Sequence, residues 1–317
     1  MHAKQTVAAL IAATVLAGTA PVAAADSSHR LPNGMISFGR FDPELGDFTI
    51  WSADPDGTNQ RQLTTVPSFF SVWSPDGRRI AFDFLDDSGV HLATMAADGT
   101  RVRQLSFDRG IQEVPRWSPN GRWIAFNAAP VLPGEPGFST SIWLMRADGT
   151  QRRQVTTDGF DVEPVWSPDG LQLAFARLID DANGVAAVYV VNRDGTGLHE
   201  VMPPTAGLEH PDWSPDGRWI TFNIAPEAQN EPRRGSIIAV RPDGRSKRVL
   251  QAATNRYLFF KPVWSPDGRQ LLVGCHDRRT SFEHLCVVEA DGRGVRTTID
   301  DETFVNFPAW GSRQPEE

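Results

Sequence analysis

The chain has 317 residues, of which 40% are hydrophobic and 22% charged, with a formal net charge of -8. That composition excludes intrinsic disorder and a fibrous chain. No basic stripe marks a nucleic-acid binder, and two cysteines exclude a disulfide-dense scaffold or a four-thiolate zinc site.

Residues 1–25 read as a cleavable signal peptide. Lys4 precedes an apolar run from Val7 to Ala17, Pro21 breaks it, and Ala23-Ala24-Ala25 supplies small residues for cleavage after Ala25. The run is shorter than the roughly 20 residues that span a bilayer. The expectation is a periplasmic or secreted protein that is not integral to the membrane, with residues 26–317 forming a single domain.

The rest of the chain repeats. Trp73-Ser-Pro-Asp-Gly77 recurs from Trp117 (with Asn120 for Asp), Trp166, Trp213 and Trp264, and degenerates at Trp310-Gly-Ser. Successive Trp residues are 44, 49, 47, 51 and 46 positions apart. Asp-Gly pairs interleave at Asp56, Asp98, Asp148, Asp194, Asp243 and Asp291. Between these motifs lie short runs such as Ile80-Ala-Phe82, Ile124-Ala-Phe126 and Ile220-Thr-Phe222, bounded by Gly, Pro and Asp, which read as strands. Pro presets position i+1 of a type I turn, and Asp-Gly is a strong two-residue hairpin signal.

A unit of about 47 residues with four strands is the signature of a propeller blade. The expectation is an all-β, six-bladed propeller of four-stranded antiparallel blades. Met35-Ile-Ser-Phe38 matches the second strand of a unit, and Val305 to Trp310 matches a first strand. Pairing of these terminal strands would close the ring in a one-plus-three arrangement.

The Trp-Ser-Pro-Asp-Gly repeats with their interleaved Asp-Gly pairs resemble the WD40-like repeats of the TolB propeller family, over about residues 31–313. The same repeats occur in propellers attached to prolyl-oligopeptidase-type peptidases and in tricorn-like proteins. The resemblance implies a cell-envelope protein of the Tol-Pal kind that grips a Pal-like lipoprotein. TolB carries an α/β domain before its propeller. Here few residues separate the expected cleavage site from the first strand, so a stand-alone TolB-type propeller is expected.

The two faces of such a ring differ. The short repeated turns should be structural, with Asp76, Asp169, Asp216 and Asp267 accepting nearby N–H bonds. The repeated Trp73, Trp117, Trp166, Trp213, Trp264 and Trp310 should fill seams between blades. The opposite face carries loops of variable length and charge, where function concentrates. Glu113, Asp161, Glu163, Glu209, His210, Lys261 and Asn306 precede a repeated Trp by three to five residues. They are the candidate partner-binding residues at the channel mouth. Phe69, Phe70, Tyr257, Phe259, Phe260, Phe304 and Phe307 are aromatic neighbours that would favour a glycan, or would simply pack inside.

No cofactor is expected. Calcium on the oxygens of Glu113, Asp161, Glu163 and Glu209 is the minor alternative. Cys275 and Cys286 sit on consecutive strands and are disulfide candidates in an oxidising compartment. No Gly-x-Ser-x-Gly, His-Glu-x-x-His or phosphate loop occurs, so no catalytic residue is assigned. The leading reading is a monomeric, non-enzymatic binding propeller. The alternative is a glycosidase, lyase or lectin-like module acting on a glycan at the mouth.

Overall fold

The computed structural model describes residues 33–225, 233–300 and 305–312. The expected signal peptide and Phe304 lie outside the described residues. Strands follow one another in repeat units. The first holds β1 (Asn33–Asp42), β2 (Asp47–Ala53) and β3 (Arg61–Gln62). The second holds β4 (Ser68–Trp73), β5 (Arg79–Asp86), β6 (Gly89–Ala96) and β7 (Arg103–Gln104). The third holds β8 (Gly110–Trp117), β9 (Trp123–Ala129), β10 (Ser141–Arg146) and β11 (Arg153–Gln154). The fourth holds β12 (Phe160–Trp166), β13 (Gln172–Asp180), β14 (Val185–Asn192) and β15 (His199–Ala206). The fifth holds β16 (Leu208–Trp213), β17 (Ile220–Ile224), β18 (Ser236–Val240) and β19 (Lys247–Gln251). The sixth holds β20 (Tyr257–Trp264), β21 (Gln270–Asp277), β22 (Glu283–Glu289) and β23 (Val295–Ile299), and β24 (Val305–Ser312) follows it.

The all-β propeller is present, but the hydrogen bonding corrects the expectation of six four-stranded blades. Four blades are separate four-stranded sheets: β24-β1-β2-β3, β12–β15, β16–β19 and β20–β23. The strands β4–β11 do not divide into two more. They form one eight-stranded sheet, joined where β6 pairs in parallel with β8 through Gly89↔Gly110 and Val90↔Ile111. The physical reason is the absence of two side chains. A Cβ on Gly89 would lie 1.9 Å from the Gly110 carbonyl oxygen, and both glycines have positive φ, 141° and 115°. Two backbones therefore come close enough there to pair as strands.

At the termini β24 pairs antiparallel with β1, with Trp310 opposite Ile36 and Asn306 opposite Gly39. The sheet containing the first described strand is thus completed by the last.

The core lies between units. Ile80 and Phe82 pack on the preceding unit with Trp73, while Ala81 packs on the following one with Trp117. The same alternation places Leu173 and Phe175 beside Trp166, and Ala174 beside Trp213. Because both faces of each sheet are buried, the second strands read as continuous apolar runs. Every seam holds one repeated Trp, and Trp264 and Trp310 occupy the remaining two. A disulfide joins Cys275 of β21 to Cys286 of β22, with Cα atoms 5.9 Å apart. The register sets Cys275 opposite His284 and Cys286 opposite Val273, so the bridge crosses the ladder diagonally inside a seam.

The turn face is uniform. In the first full turn Ser74 Oγ donates to Asp76 Oδ1 at 2.6 Å, and Asp76 Oδ1 accepts the Arg78 N–H at 3.1 Å. Ser118 with Asn120, Ser167 with Asp169, Ser214 with Asp216 and Ser265 with Asp267 repeat the arrangement. Hydrogen bonds from Ser167 and the Leu171 N–H hold the Asp169 carboxyl below the usual carboxylate range.

Candidate binding site at the channel mouth

Three residues before the repeated Trp stand Phe70, Val114, Glu163, His210, Lys261 and Phe307. All but Phe70 have positive φ, between 47° and 57°. The strand register shifts at the same places, between Glu113 and Arg116, Val162 and Val165, Glu209 and Asp212, and Phe260 and Val263. Each innermost strand therefore carries a bulge that takes backbone N–H groups out of its own ladder. Left-handed backbone at a non-glycine residue is costly, and bonds across the seams offset that cost. Asp83 Oδ2 accepts the Val114 N–H at 2.8 Å across a seam, and Asp83 Oδ1 accepts the Phe70 N–H at 3.0 Å within its own unit. Asn127 accepts the Glu163 N–H at 3.2 Å, and Asn223 accepts the Lys261 N–H at 2.9 Å.

Two seams use a substitute. Ala176 has no acceptor to offer, and the Glu163 carboxylate takes the His210 N–H instead, at 2.7 Å. Gly274 has no side chain because the Phe260 ring occupies its place, 2.1 Å from where a Cβ would stand. There Asn306 accepts the N–H of its own neighbour, Phe307, at 2.8 Å.

The ring of bulge residues divides into an apolar and a polar half. Phe70, Val114 and Phe307 pack with Phe48 in one cluster, and the Phe70 and Phe307 rings stand 4.6 Å apart. The Lys261 ammonium lies 4.1 Å from the centre of the Phe307 ring at the boundary. In the polar half His210 Nε2 is 3.0 Å from Glu163 Oε1, and Nδ1 is 3.5 Å from Glu209 Oε2. These are close contacts without hydrogen-bond alignment.

Beside the polar half opens a cavity of about 260 Å³. Glu113, Glu163, Glu209 and His210 line its floor. Phe138, Phe160, Val162, Leu178 and Leu208 are among its apolar walls, and Thr140 and Asp181 add polar groups. Glu113 Oε1 accepts from Asn127 Nδ2 at 3.0 Å, and Glu209 accepts from Asn223 Nδ2 at 3.3 Å. Burial, helped by the charges of Asp83 and Glu163, pushes the Glu113 carboxyl up to about 8. Burial alone raises Asp83 to about 7 and Asp212 to about 6, against the bonds each accepts. Burial lowers His210 to about 3, with Lys261 and Arg116 reinforcing it against Glu163, so its ring is neutral. A neutral imidazole and partly protonated carboxyls suit binding through hydrogen bonds and short-range charge.

Of the residues picked from the sequence, the structure brings Glu113, Glu163, Glu209 and His210 around this cavity. Three stand elsewhere. Asp161 is buried beneath Arg177, which donates to its two oxygens at 2.6 and 2.8 Å. Lys261 faces the phenyl rings, and Asn306 serves its own backbone. Among the described residues no three His, Cys, Asp or Glu side chains gather closely enough to hold a metal ion. Of the mouth aromatics, Phe70, Tyr257, Phe259, Phe260 and Phe307 are buried and Phe69 is half-buried.

The sequence reading missed Asp83, Asn127 and Asn223, which hold the bulges. Their signal was present, since each directly follows the Phe that ends an apolar run in its second strand. It also missed Arg116 and Asp212, which directly precede a repeated Trp and line a wider funnel of about 680 Å³ at the channel's other end. That funnel is walled mostly by the repeated Trp and Pro side chains. Uniform walls make it the less selective of the two openings, although it is the larger.

Residues 41–314 match the family described as the TolB beta propeller domain. An uncharacterized protein of Agrobacterium fabrum, Atu1656, is 28% identical over 184 residues, 55% of this chain and 61% of that protein. A TolB homolog of Chlorobium luteolum is 34% identical over 129 residues, 40% of this chain and 28% of that protein. The match thus spans less than two thirds of these relatives' own length. Among solved structures, TolB from Acinetobacter baumannii superposes with a TM-score of 0.71 at 20% identity, covering 89% of this chain and 67% of that one. An oligogalacturonate lyase from Vibrio parahaemolyticus superposes less well, with a TM-score of 0.54 at 14% identity, covering 80% and 71%. At such identities the likeness is one of fold.

Proposed function

Because the chain belongs to the TolB beta propeller domain family, we propose that it is a non-enzymatic binding propeller of the cell envelope, engaging a protein partner through its variable-loop face. The observation that carries this reading is where exposed apolar side chains fall. Among the described residues five of the nine exposed large apolar side chains, Leu45, Val66, Phe107, Ile179 and Phe282, lie on or beside loops of that face, while Val102, Leu171 and Leu198 lie at the turn face and Val249 on the outer strand β19. Phe107 is 72% exposed. Apolar groups spread around a cavity with an acidic floor suit a protein surface, with large side chains as anchors and a polar centre for register. Among the described residues no helix is long and apolar enough to cross a membrane. The partner in this reading is a Pal-type envelope lipoprotein, met in the periplasm after removal of residues 1–25.

The test is capture followed by direct titration. The chain from Asp26 is immobilised, a detergent-solubilised envelope extract is passed over it, and retained proteins are identified by mass spectrometry. The retained protein is then purified and titrated against wild type and a Phe107→Ser, Ile179→Ser double variant. Retention of one lipoprotein, with at least tenfold weaker binding by the double variant, supports the reading. Binding unchanged by the double variant, or retention of a glycan and no protein, overturns it.

A further inference from the structure

The lining of the 260 Å³ cavity has an uneven chemistry. Its ionisable members are Glu113, Glu163, Asp181, Glu209 and His210, with no Lys or Arg among them. Its walls are hydrocarbon. Two residues that line it, Glu113 and Thr140, keep acceptor capacity that the described residues do not use. Glu113 is 7% exposed, and only its Oε1 is bonded, to Asn127. Thr140 is 2% exposed, and its Oγ1 has no hydrogen-bond partner. A buried acceptor left unpaired is costly, and Thr140 Oγ1 beside the half-used Glu113 carboxyl at one acid-lined cavity calls for a donor that arrives from outside.

We propose that this cavity receives an alkylammonium group, the side chain of a lysine on the docked protein partner. This rests on the binding function proposed above. A four-carbon stem fits the apolar walls of Phe138, Phe160 and Leu178. The ammonium has three donors and no acceptor, which matches Glu113 Oε2, Thr140 Oγ1 and the Glu163 carboxylate. Arginine fits less well, because its planar fork needs acceptors on a common plane at a wider span. The neutral His210 ring adds no repulsion. The same cavity disfavours an anionic group, which would meet three glutamates.

The probe is n-pentylamine, which carries a lysine-like stem and head. It is titrated calorimetrically into the full chain, with 1-pentanol and pentanoate as controls for the stem and the charge. The expected result is one saturable pentylamine site, at least tenfold tighter than pentanol, with no pentanoate binding. Glu113→Gln with Glu163→Gln keeps an acceptor for Asn127 and for the His210 N–H, and should weaken pentylamine at least tenfold. Thr140→Val should weaken it about threefold. If the double variant fails to fold by circular dichroism, Leu178→Trp, which fills the cavity from its wall, should abolish binding. Equal affinity for pentanol, no pentylamine binding, or binding untouched by these variants overturns the proposal. Pentylamine failing while the captured protein still depends on Phe107 and Ile179 removes the lysine and leaves the partner. Pentylamine binding with no captured protein overturns the lysine as the source, and a free amine is then the ligand.

Discussion

The turn face and the channel mouth are both built by repetition, yet only one repeats its residues. In the turns, Ser and Asp bond within five residues of themselves, so each of the five full copies needs a Ser and an Asp or its amide and has them, with Asn120 the one amide. At the mouth, the backbone bulge recurs, but its N–H is satisfied by a side chain from another strand or a neighbouring unit, except at Phe307, where Asn306 of the same strand serves. Apart from Glu163, whose carboxylate takes the His210 N–H, the bulge residue's own side chain is then free of that duty. Six equivalent positions accordingly hold Phe, Val, Glu, His, Lys and Phe. A scaffold that meets its backbone needs from outside a position leaves that position open to functional choice.

The largest test of this contrast is Asp83→Ala. It strips acceptors from two buried N–H groups at once, and should cost on the order of 2–5 kcal/mol in urea unfolding. Asp83→Asn, which keeps an acceptor, should cost less than half of that. A cost as small for Ala as for Asn would mean that the seam bonds do not support the bulges.

Next in size is a pH effect. Glu113 is raised from its ordinary value of 4.5 to about 8, and Asp83 from 3.8 to about 7. A raised folded-state value means that the folded chain holds more protons than the unfolded chain between those limits. Stability is then fully present below the unfolded values and is lost as pH rises toward 8. His210, lowered from 6.5 to about 3, acts oppositely, but only below about 6.5. Between pH 6.5 and 8 stability should therefore fall by about 1–2 kcal/mol. Glu113→Gln should flatten most of that slope in a series of melting curves, and a slope unaltered by Glu113→Gln would place the titrating group elsewhere.

On the turn face Asp169→Ala should cost only about 1 kcal/mol. Asp76→Ala and Asp216→Ala should match it closely, because their bonds are the same. Smallest of all is Glu163→Gln. We expect it to change stability by less than about 1 kcal/mol while weakening pentylamine severalfold, since an amide oxygen can still accept the His210 N–H. A loss of stability as large as that of Asp83→Ala would make Glu163 a structural residue.

Much of this was legible from residues alone. The Trp spacing gave the units, and Ile80-Ala-Phe82 gave strands buried on both faces. Val305 to Trp310 was readable as the partner of β1 because it looks like a first strand without a second. The fusion of β4–β11 into one sheet was not readable. Gly89 and Gly110 look like ordinary loop glycines, and only their mutual approach makes them a junction. The candidate site was half legible. Position before a Trp selected Glu113, Glu163, Glu209 and His210, which the structure brings around one cavity. It also selected Asp161, whose cross-strand partner Arg177 is set by register, a long-range property that no local pattern encodes. Asp83, Asn127 and Asn223 escaped because a single polar residue ending an apolar run reads as the strand's boundary.

The pairing of β24 with β1 also imposes an order of events. A chain made from its first residue onward delivers β1 first and β24 last. Throughout that interval β1 presents an unpaired edge, open to association with other extended segments. Closing so distant a contact is slow. The hairpin of β21 and β22 lies wholly ahead of β24, so its two thiols can be oxidised before the ring shuts. The finished molecule is thus sealed by the segment that arrives latest, and a chain cut short of Val305 would stay open with two exposed edges.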